Sequence, residues 1–68
     1  MADDFMSRLM TERRELNERL KKLDAFILTE TFQKLDKVDR TLLVRQRSAM
    51  ADYDDILLTR CGRLCNNA

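Results

Sequence analysis

Sixty-eight residues allow one small domain and no second core. Thirteen basic residues against twelve acidic ones leave a net charge of +1, which excludes the polybasic anchor expected of a DNA- or membrane-bound chain. With no proline and one glycine, and with Leu, Arg, Glu, Lys, Met and Ala abundant, the composition points to an all-α fold.

Asp3 or Asp4 is positioned to cap a first helix running from about residue 5 to about residue 29. Leu9, Leu16 and Leu23 recur by sevens, and Leu20 and Ile27 form the second line of the same stripe. Arg13 occupies the place before Leu20 and interrupts that line. Arg14, Glu15, Glu18 and Lys21 read as a solvated outer face.

Thr29, Glu30 and Thr31 then weaken the helix, because hydroxyl side chains bond the backbone in place of the next turn. Phe26, Ile27, Phe32 and Leu35 are too apolar for a loose linker. The spacing predicts a packed corner over residues 30–36, with one turn of short helix, that folds the chain into an antiparallel hairpin.

Asp36 is the expected cap of a second helix over about 37–61, with Asp39 as its capping-box partner. Gly62 is the expected terminator, leaving residues 64–68 as a frayed tail. Leu43, Met50, Leu57 and Leu64 are spaced by sevens. The companion line reads Asp39, Gln46, Tyr53 and Arg60, where a simple zipper has aliphatics. For Arg60 the stem packs and the head reaches water. Gln46 and Tyr53 need polar partners from another chain or a ligand.

The acidic start, Met1-Ala2-Asp3-Asp4, is unlike a secretory signal, and no apolar run reaches the ~20 residues needed to cross a bilayer. The expected compartment is the cytoplasm. Cys61 and Cys65 are the only cysteines and there is no histidine, so one chain cannot complete a zinc set and both thiols are expected to be free. No metal and no cofactor are expected. A glycine-rich phosphate loop and a nucleophile with a recognisable base are also missing from the sequence, so a non-enzyme is expected. The acid pairs Asp3-Asp4 and Asp54-Asp55 read as solvated caps or faces.

Two helices with one stripe each bury too little to stand alone without disulfides or metal. Met6, Met10, Phe26, Leu42, Ala49 and Ile56 lie off the expected seam and supply further apolar contacts. A symmetric homo-oligomer larger than a dimer is therefore expected.

The stretch Glu12–Ile27 resembles an ERxxLxxKxxKLxxFI pattern, followed by Phe32-Gln33-Lys34-Leu35 as FxxL. Leu42, Leu43, Gln46, Met50, Tyr53, Leu57 and Arg60 then resemble LLxxQxxxMxxYxxxLxxR. Together, from about Phe5 to Arg60, the chain is similar to the short phage-encoded hairpin sponges of the anti-CBASS and anti-Thoeris type. The resemblance implies a non-enzymatic protein of the host cytoplasm, typically a hexamer, that sequesters cyclic nucleotide messengers before an immune effector senses them. Family members bind cyclic dinucleotides between protomers, and some bind cyclic trinucleotides on threefold axes. Some related sponges take cyclic ADP-ribose isomers.

Such ligands carry phosphates and flat bases, which call for arginine or lysine beside a stacking surface. Arg8, Arg19 and Lys22 fall on one face of the first helix, and Phe5 lies one turn before Arg8. Arg40 and Arg47 are seven apart on the second helix, with Ser48 adjacent and Gln46 and Tyr53 on the companion line. One arginine per chain around a threefold axis would match three phosphates. The alternative reading is an oligomeric interaction module that binds a protein or structured RNA, distinguished by a flat basic stripe in place of a closed ring.

Overall fold

The computed structural model describes residues 2–66, and side chains over residues 5–65. Three helices follow one another: α1 (Ala2–Ile27), α2 (Glu30–Gln33) and α3 (Lys37–Asn66). The described residues are helical with short turns and no strand. α1 and α3 lie side by side as a hairpin 49 × 15 × 14 Å in extent.

Thr29 ends the first helix by competing for its last carbonyls. Its Oγ1 donates to the Phe26 carbonyl at 2.6 Å, which also accepts from the Thr29 N–H at 3.0 Å. The same Oγ1 accepts from the Phe32 N–H at 3.2 Å and so caps α2. Phe32 is buried, and its ring meets Phe26 edge-on with centroids 6.1 Å apart. Asp36 then caps α3: its Oδ2 accepts from the Val38 N–H at 3.2 Å and its carbonyl takes the Arg40 N–H at 3.0 Å.

The helix limits differ from the sequence expectation at three points. α1 starts at Ala2, so Asp3 and Asp4 sit inside its first turn and do not precede it. α1 also closes at Ile27, two residues short of the expected end. α3 runs through Gly62 to Asn66, so Gly62 is no terminator and residues 64–66 are helical; residues 67 and 68 lie outside the described residues. No glycine adopts a positive φ. A single helical glycine costs only ~1 kcal/mol relative to alanine, which a thirty-residue helix absorbs. An added Cβ at Gly62 would meet nothing within 4 Å. Gly62→Ala is therefore expected to stabilise the chain by about 0.5–1 kcal/mol in a denaturant melt.

The contact between α1 and α3 is a two-sided heptad seam. From α1 it takes Met6, Leu9, Arg13, Leu16, Leu20, Leu23 and Ile27, none of which is exposed. From α3 it takes Arg40, Leu43, Arg47, Met50, Asp54, Leu57 and Cys61, again with none exposed. This corrects the companion line. Asp39, Gln46, Tyr53 and Arg60 are all exposed, and the residues one place further along face α1.

The reason is polar pairing between the helices. Arg47 Nε donates to Asp24 Oδ1 at 2.7 Å, and Asn17 Nδ2 donates to Asp54 Oδ1 at 2.7 Å. Arg13 Nε also approaches Asp54 Oδ1, at 3.3 Å. Asp54, expected from the sequence to be a solvated acid, is thus a partner for α1. Asn17 and Asp24 are seven apart, as are Asp54 and Arg47, so both pairs set the same antiparallel register.

Rotating α3 to this seam leaves a second heptad line on its outside. Leu42, Ala49 and Ile56 alternate there with Asp39, Gln46, Tyr53 and Arg60, every one of them exposed. The hydrophobic residues buried within the chain are only Leu9, Leu16, Phe32 and Leu57 among the described residues. Leu64, expected on the inner seam, is exposed at 37%.

Candidate functional site

Two basic clefts lie at opposite ends of the hairpin. The antiparallel register brings the start of α1 beside the last third of α3, so Phe5 meets Arg60. The Arg60 guanidinium carbon lies 5.9 Å from the centre of the Phe5 ring, within cation–π range. These two residues line an open cleft of about 300 Å³ together with Arg8, Leu9 and Glu12. An aromatic face, two guanidinium groups and one carboxylate are thereby held together. Such a set can stack on a base, pair with phosphate oxygens and accept from a base amino group.

The second cleft sits at the corner, with a volume of about 400 Å³. Phe32, Lys37, Arg40, Thr41, Val44 and Arg45 line it. Asp36 caps α3 at this point, so the last five of these residues fall within its first turns. The Arg40 Nε is buried without a hydrogen-bond partner in the chain. A buried donor without an acceptor is costly, and an anion entering the cleft would relieve that cost.

The remaining residues singled out from sequence are spread along the hairpin. Arg47 is engaged by Asp24, which raises its pKa above the usual guanidinium value through the hydrogen bond first and the charge second. It belongs to the hairpin seam as an ion pair, with Nη2 also 3.5 Å from Asp24 Oδ2. Arg19 Nη2 lies 3.9 Å from Glu15 Oε2 on the exposed side of α1, and Lys22 and Ser48 are exposed. Gln46 makes a long contact from Nε2 to Met50 Sδ at 4.0 Å, and Tyr53 is 41% exposed; both lie on the outer line of α3.

The structure therefore brings Phe5 and Arg8 together but does not cluster them with Arg19 and Lys22. Lys37 and Arg45 are cleft residues that the sequence does not single out, and Arg60, read there as a packed stem with its head in water, is a third. The partial signal for Arg60 is the antiparallel hairpin itself, which carries the start of α1 to the far end of α3; the Asp24–Arg47 and Asn17–Asp54 pairs do not share the offset that sets Phe5 against Arg60.

Among the described residues, no three Cys, Asp or Glu side chains are grouped to hold a metal ion. No described helix is long and apolar enough to cross a membrane. The fold is an all-helical hairpin with a basic cleft at each end. The Sequestin family model matches residues 3–63, and the chain belongs to that family, the phage sponges of the anti-CBASS and anti-Thoeris type. No curated protein and no solved structure matches the chain.

Proposed function

We propose that this protein is an immune-evasion sponge of the host cytoplasm that binds cyclic di- and trinucleotides and sequesters them without cleavage. Membership of the Sequestin family over residues 3–63 carries this reading. The clefts support it chemically. Phe5 offers a stacking face beside Arg8 and Arg60, and Lys37, Arg40 and Arg45 offer three cations around one hollow. Both clefts are open on one side, as half-sites between protomers would be. Cyclic ADP-ribose isomers carry the same combination of phosphate and base and complete the set of candidate ligands.

Assembly follows from the outer heptad line of α3. Leu42, Ala49, Tyr53 and Ile56 form an apolar stripe that stays exposed among the described residues. A second copy of α3 offers the same stripe, and symmetry then builds the oligomer, which we take to be a hexamer. Gln46 and Tyr53 acquire their polar partners across that contact.

Calorimetric titration with cyclic dinucleotides, cyclic trinucleotides and cyclic ADP-ribose isomers tests the proposal. Charge-assisted hydrogen bonds are worth ~1.5–3 kcal/mol each, so Arg60→Ala or Arg40→Ala should weaken binding by about 10- to 100-fold. Lys22→Ala, on the exposed side of α1, tests whether that face shares a pocket. Nucleotide released by heat should be chemically intact. Hydrolysed product would return an enzyme reading, and an intact oligomer that binds none of these ligands would favour the interaction module.

A further inference from the structure

A third cavity, of about 490 Å³, lies between α1 and the last turns of α3. Met6 and Met10 line it from α1, and Cys61 and Cys65 from α3. Each pair is four residues apart on its helix, so its two side chains share one face about a turn apart. The antiparallel register sets the two pairs against the same hollow. Both cysteines are free thiols, Cys61 half-buried and Cys65 exposed. Cys61 also packs on the buried cluster of Leu9, Leu16 and Leu57, which gives the site a fixed apolar wall.

The donor chemistry is unusual. Two thiols and two thioethers line the cavity, with no carboxylate among its lining residues and no histidine in the chain. Thiolate suits zinc as well as Cu(I), but thioether is not among the usual zinc ligands, so the two methionines are what point to Cu(I). Two thiolates around one Cu(I) carry a net negative charge. Arg14 lines the same cavity and offsets it, beside Arg13, which is already paired with Asp54. We propose that these four sulfur atoms form a Cu(I) site, separate from both nucleotide clefts and independent of the sponge reading.

Binding converts two thiols to metal-bound thiolates and releases two protons. The test is an anaerobic titration of the reduced full-length chain with Cu(I) against a coloured Cu(I) chelator. One Cu(I) per chain should be withheld from the chelator, with sulfur-only coordination by X-ray absorption. Loss of an outer-shell partner costs a metal site roughly 10- to 100-fold, and loss of a direct ligand should cost at least as much. Cys65→Ser, at an exposed position, should show that loss with helicity unchanged by circular dichroism.

The joint Met6→Leu and Met10→Leu variant keeps the side-chain volume and removes both thioethers. It should weaken Cu(I) binding at least roughly tenfold with its helical content retained. Equal affinity in that variant would overturn the four-sulfur site and leave an ordinary cysteine pair. Stronger retention of Zn(II) than of Cu(I), or no metal withheld at all, would overturn it as well.

Discussion

Replacing Leu57 by alanine is expected to lower stability by about 2–5 kcal/mol, the range for deleting a buried leucine. Leu57 is fully buried, at 0% exposure, and stands at the centre of the cluster with Leu9 and Leu16. In a chain of this size each kcal/mol moves the melting temperature by about 4–8 °C, so a circular dichroism melt reads the change directly. So few residues are buried within the hairpin that the loss should be felt along both long helices. A melting temperature within about 2 °C of the unsubstituted protein would mean that the packing between α1 and α3 contributes little.

The neighbouring residue should behave in the opposite way. Ile56 is 57% exposed within the chain and lies on the outer heptad line of α3. Ile56→Glu costs the isolated hairpin almost nothing, because the carboxylate stays in water. In an assembly built on that line, each copy would bury an unpaired charge at an effective penalty of several kcal/mol. That corresponds to a dissociation constant raised about 100-fold or more. Light scattering at micromolar concentration should report several chains for the unsubstituted protein and a lower mass for Ile56→Glu. An unchanged mass would mean that this stripe is not the interface. The contrast between two consecutive residues separates the inner seam from the outer one.

The same contrast explains how much of the molecule is legible in its residues. The corner is readable because local chemistry makes it. Thr29 takes the Phe26 carbonyl and caps Phe32, Asp36 caps Val38, and Phe26 and Phe32 are apolar where a linker is polar. The basic candidates are readable only as types. Arg47 and Arg40 look alike in sequence, seven residues apart. In the fold, Arg47 is paired with Asp24, while the Nε of Arg40 is buried at the corner cleft without a partner. Those fates depend on which side chain of α1 or α2 lies opposite each one, and heptad spacing carries no such information.

The sequence by itself determined an all-helical chain, two long amphipathic segments and a turn between them. Helix propensity, the absence of proline and the capping residues act within a few positions of each other. Only the tertiary structure decided the azimuth of α3. Leu43, Met50 and Leu57 fit a seam completed by Gln46 and Tyr53 as well as one completed by Arg47 and Asp54, since both alternate steps of three and four. Periodicity weighs the two equally. Asp24, Asn17 and Arg13 break the tie from the other helix, because turning Arg47 and Asp54 inward gives each a partner at 2.7 Å. That rotation of one residue leaves Leu42, Ala49 and Ile56 on the outside, and with them the surface left for other chains.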